Sequence, residues 1–262
     1  MEINFTEVKR EAQSKLQAQF RPAFLAFNLM PLLGLLVNCA AVWPFFRYGF
    51  EEVLYAFSLP QTNRLIQLSS LLLLPVYMAC SVGASRIYLT VWQGETAHFR
   101  DILWGFNDIK RSMLGVLPLY LVQWVNGLLQ LSSALFGQGV SSATVNLETP
   151  ISALALLPSV IVGIITAFIQ LNFWMLPYII GEDPDISYRD AWRRALQLAR
   201  GYRRRVFLFE LSFFGWLALT ALTLGLAVLY VGPYLSVAMA GFYARRVIIS
   251  REEPSSNYEK IS

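Results

Sequence analysis

The sequence predicts an all-α fold: a polytopic membrane helix bundle of six transmembrane helices with three cytoplasmic amphipathic interfacial helices. Three observations lead there. Hydrophobic residues make up 56% of the chain against 15% charged, and the mean hydropathy is +0.48, a balance that a water-soluble core does not require. Apolar runs recur at the length of a bilayer crossing. The basic residues sit beside these runs in an alternating pattern.

The N-terminal stretch MEINFTEVKREAQSKLQAQFRP mixes acids and bases and lacks the short basic segment and cleavage site of a secretory signal. The first apolar run is therefore expected to remain as an anchor. A hydrocarbon core about 30 Å thick takes roughly 20 helical residues, and Ala23 to Phe46, Leu65 to Val91, Met113 to Phe136 and Ile151 to Ile180 each reach that length. Val206 to Ile249 would be about 66 Å long as one helix, enough for two crossings. Thr223, Leu224 and Gly225 supply a turn, because glycine accepts the positive φ that closes a helix. The legs are then Val206 to Leu222 and Leu226 to Tyr243. Residues 1–250 form a single membrane domain, and 251–262 a flexible cytoplasmic tail.

Charge orients the spans. Of the 21 basic residues, 18 fall in the N-terminal segment, the segments after spans two and four, and the tail. Lysine and arginine beside a span resist translocation, so these segments are expected to be cytoplasmic, as are both termini, which requires an even number of spans. The loop GQGVSSATVNLETP, Gly137 to Pro150, has no base and is expected outside.

Three cytoplasmic segments carry a helix with an apolar stripe: Val8, Ala12, Leu16 and Phe20; Phe99, Leu103, Phe106 and Ile109; and Tyr188, Trp192, Ala195, Leu196 and Ala199. Each begins near a hydroxyl, Thr6, Thr96 or Ser187, read as its N-cap. Each precedes two spans, which gives a weak internal repeat of helix plus hairpin. On the third, Tyr188 and Trp192 are suited to the headgroup boundary, while Arg189, Arg193 and Arg200 meet anionic lipid phosphates. The pI of about 9.1 thus points to the bilayer and its anionic headgroups rather than to nucleic acid, which would need exposed aromatics free to stack on bases. Trp43 with Tyr48, and Tyr88 with Trp92, read as aromatic belts at span ends.

Polar residues inside apolar runs need partners. Gln123, Asn126 and Gln130 fall on one stripe of the third span, and Asn28, Asn38, Gln170 and Asn172 could face it. Two readings stand: hydrogen-bonded glue between helices, or a polar cavity for a lipid headgroup or small solute. Prolines 31, 75, 158, 177 and 233 permit kinks in most spans. Arg86 and Glu210 form a candidate ion pair at similar depth.

Little here suggests catalysis. His98 is the one histidine and has no nucleophile beside it in sequence. Glu182, Asp183 and Asp185 are divided by Pro184 and read as the start of the Ser187 helix rather than as a metal site. Cys39 and Cys80 lie within apolar runs, as small buried hydrophobes. Neither a Walker loop nor zinc-type spacing occurs. The expectation is no enzyme, no cofactor, no metal and no catalytic residue.

FTEVKREAQSKL near the N-terminus, VWQGETAHFRDILWGF from Val91, GEDPDISYRDAWRRALQLARGYRRR from Gly181 and LSFFGWLALTALTLGLAVLYVGPY from Leu211 together resemble a family of bacterial membrane proteins catalogued as domain of unknown function 975. The family in turn is similar to the membrane domain attached to some glycerophosphodiester phosphodiesterases. The resemblance implies a multi-pass protein of the bacterial cytoplasmic (inner) membrane and brings no activity with it. The reading is a non-catalytic membrane-embedded interaction or envelope-support module, with a membrane-protein partner; the alternative is a small transporter or lipid-handling protein with a polar intramembrane cavity.

Overall fold

The computed structural model describes residues 3–43, 60–136 and 163–252; at some helical positions, Gln123, Asn126 and Gln130 among them, the side chains fall outside the described part. Every regular element among the described residues is helical, with no strand.

Helix α1 (Phe5–Ala18) starts on Asn4 rather than Thr6. The Asn4 side-chain oxygen accepts from the N–H groups of Thr6 and Glu7 at 3.1 and 3.5 Å, as an amide just outside a helix reaches its first free donors. Helix α2 (Phe20–Val42) follows after one break, at Gln19. Helix α3 (Pro60–Gln93) is longer than the span expected within it. The second expected interfacial helix is a 3-10 helix over Phe99–Phe106, opened by the Asp101 carboxylate accepting from the His98 N–H at 3.2 Å; Thr96 does not cap it. Helix α4 (Ile109–Phe136) contains Pro118.

The apolar stretch Gly163–Glu182 does not run straight: its helix breaks at Trp174 and Met175 and resumes as α5 (Leu176–Glu182). Pro177 explains the break, since it offers no N–H and its ring crowds the carbonyl one turn earlier. Helix α6 (Tyr188–Ala199) has Ser187 at its N-cap position, but the hydroxyl makes no capping bond. Helices α7 (Arg203–Leu211) and α8 (Phe214–Leu222) make the first leg of the expected hairpin, interrupted at Ser212–Phe213. The turn lies where glycine places it, with φ of 51° at Leu224 and 91° at Gly225. Helix α9 (Val228–Glu252) returns, packing on α8.

Four segments are long and apolar enough to cross a membrane: Phe20–Ala40, Leu68–Gln93, Gly163–Glu182 and Arg203–Leu222. That is four among the described residues against the six expected. Large apolar side chains stand exposed along them, Leu36, Leu72, Phe168 and Phe214 among others, each at least 59% accessible. Such a surface suits hydrocarbon rather than water, and on this ground the chain is a membrane protein.

The chain divides into two compact units, one of Met1–Leu29, Ala79–Val116 and Leu171–Ser262, the other of Met30–Met78 and Leu117–Gln170. In the second, a Cβ on Gly34 would stand 3.0 Å from the Tyr77 hydroxyl, so these two stretches meet closely. The first unit is built around α9. Gly232 seats the Phe27 ring and Gly241 the Trp92 ring, both too close for any Cβ. The 3-10 helix meets α3 backbone to backbone: a Cβ on Gly83 would stand 2.0 Å from the Ile102 carbonyl oxygen, and one on Gly105 1.9 Å from that of Ala79. Its buried residues are therefore Ile102 and Gly105, while Phe99, Leu103 and Ile109 of the expected stripe are exposed.

Helix α1 lies on α9 with Val8, Ala12 and Leu16 fully buried. Its stripe thus meets protein where lipid was expected, and Phe5 sets its edge on Phe209 at 5.3 Å. Polar bonds flank the contact. Arg245 holds Glu7 at 3.0 Å and Glu11 at 2.8 Å, and Lys15 pairs with Glu11 at 3.0 Å and donates to the Trp92 carbonyl. Lys9 donates at 2.7 Å to the carbonyl of Ser212, where the α7–α8 break leaves it outside the regular ladder. Gln19 ties the next loop, donating to the Glu95 carbonyl at 2.6 Å and accepting from the Ala97 N–H at 2.8 Å. Trp92 and Tyr88, expected in an aromatic belt, are buried here at 6% and 7% exposure.

Two outcomes follow for purified protein in detergent. Gly83→Ala should lower the melting temperature by the equivalent of about 1–3 kcal/mol, because backbone cannot yield as a side chain does. Gly163→Ala, where nothing stands within 4 Å, should leave it unchanged or raise it. The second outcome concerns pH. Burial alone would raise the Glu11 carboxyl, but hydrogen bonds from Lys15 and Arg245 outweigh it and hold the group below its usual 4.5. A depressed carboxylate stabilises the fold above its ordinary value and loses that contribution as pH falls through the depressed one. The melting-temperature gap between the wild type and Glu11→Gln, worth about 1 kcal/mol or less for such partly exposed pairs, should be full at neutral pH and close below pH 4.5. A gap that persists in acid would contradict it.

Candidate functional site

Where α5 ends, three elements are clasped together. The Glu182 carboxylate accepts a 2.5 Å hydrogen bond from the Tyr243 hydroxyl and stands 3.8 Å from the Arg194 guanidinium. Tyr243 stacks on Tyr178, ring centroids 5.5 Å apart. Arg246, one turn further along α9, is only 2% exposed. Its Nε donates at 3.1 Å to the Leu198 carbonyl in the last turn of α6, and its guanidinium lies 3.9 Å from the Tyr202 ring centroid. A cation at this end of α6 also suits the helix dipole. Trp192 fixes the middle of α6 by donating at 2.8 Å to the Gly115 carbonyl.

The buried face of α6 is small: Ala191, Ala195, Leu198 and Ala199. Of the expected stripe, Ala195 and Ala199 are buried, while Tyr188, Trp192 and Leu196 are half-buried. So α6 packs against protein, where the sequence placed it on lipid. Arg189, Arg193 and Arg200 are exposed, with Arg193 beside Asp190 at 3.5 Å. Glu182 belongs to the end of α5 and not to a cap of α6, and Asp183 accepts from the Asp185 N–H at 3.0 Å to close the turn between them. His98 is exposed.

A second cluster surrounds Trp104 on the 3-10 helix. The Arg86 guanidinium lies 4.9 Å and that of Arg111 5.2 Å from its ring centroid. Arg86 adds a long 3.4 Å bond to the Gly181 carbonyl. Arg86 does not pair with Glu210, which is exposed and forms no ion pair among the described residues. Buried close by in sequence, Arg111 Nε and the Ser112 hydroxyl have no hydrogen-bond partner among the described residues.

The expected polar stripe is not brought together by the residues whose side chains are described. Asn28 turns back on its own helix, donating to the Phe24 carbonyl at 2.9 Å. Asn38 is half-buried, Gln170 exposed and Asn172 buried at 1%. The side chains of Gln123, Asn126 and Gln130, which define the stripe, lie outside the described residues, as do Tyr48, Pro158, most of the neutral loop and residues 253–262.

Sequence reasoning missed both clusters. It treated Arg245, Arg246 and Arg111 only as topological charge, and Trp104 not at all. The available signal was position: Tyr243 and Arg246 recur one turn apart where an apolar helix becomes charged, and Glu182 opens directly after an apolar run.

Tyr243→Phe should cost the equivalent of about 0.5–1.5 kcal/mol, as it removes the hydroxyl donor from an exposed Glu182 that keeps Arg194 nearby. Arg246→Gln should additionally speed amide hydrogen exchange across residues 188–202 while leaving 5–18 protected. Unchanged exchange over α6 would show that the clasp does not hold it.

No curated protein and no solved structure matches the chain. A family model described as "Protein of unknown function (DUF975)" matches residues 1–251, nearly the whole sequence and every element of both clusters. The chain therefore belongs to this family of unknown function, DUF975.

Proposed function

We propose that the chain is a six-span protein of the bacterial cytoplasmic membrane, both termini cytoplasmic, acting as a non-catalytic membrane-embedded interaction or envelope-support module. Helices α4 and α9 supply the two further spans: at 28 and 25 residues, each exceeds the roughly 20 that a bilayer needs. The 18 basic residues in four segments support the orientation. The likeness to the membrane domain of glycerophosphodiester phosphodiesterases belongs to the same reading.

One observation carries the functional part. Several polar groups of the first unit fasten helices to one another: Arg245 on α1, Arg246 and Tyr243 on α6 and the end of α5, Lys9 on the α7–α8 break. Such bonds build a rigid platform, with Arg189, Arg193 and Arg200 outward toward anionic headgroups or a partner's acidic surface. The transporter or lipid-handling alternative keeps one observation in its favour. The helix break before Pro177, beside buried Asn172, is the type of interruption that transporters place at a binding site.

Extraction in native lipid particles, followed by mass spectrometry of intact complexes, separates the two. A protein partner recovered at fixed stoichiometry, and lost on charge reversal of Arg189 and Arg193, supports the platform; a stoichiometric small solute lost on Asn172→Leu overturns it. Orientation is checked by cysteine labelling. A single cysteine in Gly137 to Pro150 should react with impermeant reagent from the periplasmic side, and reaction only from the cytoplasm would refute the topology.

A further inference from the structure

We infer that Arg86 and Arg111, backed by Trp104, form a binding site for a phosphate group, carried by an anionic phospholipid or free in solution. The argument starts from unused donors. Each guanidinium carries five N–H donors in a rigid fork. Among the described residues Arg86 uses one, in its 3.4 Å bond to the Gly181 carbonyl, and Arg111 side-chain donors use none. Neither has a carboxylate within ion-pair distance among the described residues. Asp108, the acid nearest in sequence, directs one oxygen to the Arg111 backbone N–H at 3.0 Å.

Two cations so placed repel each other. Their distances of 4.9 and 5.2 Å to one ring centroid bound their separation to at most 10.1 Å. By contrast, Arg245 is neutralised by Glu7 and Glu11, and Lys15 by Glu11. At Trp104 the indole face supplies only a quadrupole, which attracts a cation but removes no charge. A phosphate oxygen set is the complement that two guanidinium forks fit, because each can donate two parallel bonds to it.

The surroundings favour a lipid as the carrier of that phosphate. Phe99, Leu103 and Ile109 flank Trp104 in sequence and are 41%, 58% and 42% exposed. They give an acyl chain apolar surface on the same stretch of chain as Trp104, as a headgroup site at a membrane boundary requires. The site is independent of whether the protein is a platform or a transporter.

The test uses the full chain in nanodiscs of phosphatidylcholine with or without phosphatidylglycerol, released into detergent and weighed by native mass spectrometry. Wild type should retain one phosphatidylglycerol, and Arg86→Gln or Arg111→Gln should retain roughly tenfold less, as expected for the loss of charge-assisted bonds. Arg10→Gln, an exposed charge on α1, should retain it as wild type does. Should the glutamine variants fail to fold, Arg86→Lys with Arg111→Lys and a melting-temperature titration of wild type replace them. The lysine pair should bind less tightly, and phosphatidylglycerol but not phosphatidylcholine should raise the wild-type melting point. If inorganic phosphate alone raises it equally, and the variants lose that rise, the carrier is free phosphate and the site stands. Equal retention by wild type and the glutamine variants, or no stabilisation by either phosphate source, overturns the proposal.

Discussion

A guanidinium that is 2% exposed has to be bonded, and Arg246 on α9 is that case. An uncompensated buried charge costs several kcal/mol, so Arg246 needs the Leu198 carbonyl and the Tyr202 ring, and those partners belong to α6 and the turn after it. The rest of the first unit follows from the same helix. One turn before Arg246, Tyr243 holds Glu182 and so the end of α5; beside it, Arg245 holds α1; earlier, Gly241 and Gly232 admit Trp92 and Phe27. Removing α9 would take these partners from the Leu198 carbonyl on α6, from Glu182 on α5 and from Glu7 on α1.

This arrangement explains which parts were legible in sequence. Apolar runs are read by length, and the bilayer imposes that length, so the four qualifying segments and the turn at Leu224 and Gly225 lie where hydropathy and glycine chemistry put them. An apolar stripe is less informative, because hydrocarbon and protein interior reward the same residues. Val8, Ala12 and Leu16 fit either solvent equally, and only the charged flank of Arg245, Glu7 and Glu11 decides for protein. At Phe99–Phe106 the stripe says nothing of the opposite face: the segment is a 3-10 helix that leaves Phe99 and Leu103 exposed, as an interfacial stripe would be, and buries Ile102 and Gly105. The clue there was Gly83 and Gly105 themselves, which permit backbone contact that no apolar pattern records.

Pairing was legible least of all. Arg86 and Glu210 share a depth in the sequence reading, and depth says nothing about azimuth around a helix. Arg86 turns toward Trp104 and Gly181, on elements that the chain brings in from elsewhere. Glu182 shows the converse. It looks like part of an acidic cap in sequence, yet its partner Tyr243 is 61 residues away. Capping rules are local and held at Asn4, where the donors are two and three residues on, but not at Ser187.

The two kinds of cation differ in what they can do for the protein. Arg245, Arg246 and Lys15 have acceptors inside the fold, so their contribution is to hold elements in place. Arg86 and Arg111 have most of their donors left over, within 10.1 Å of each other on the bounds set by Trp104. In the proposed site an anion from outside relieves their mutual repulsion. The 3-10 helix meets α3 through backbone at Gly83, so no side chain stands between the two to absorb a shift.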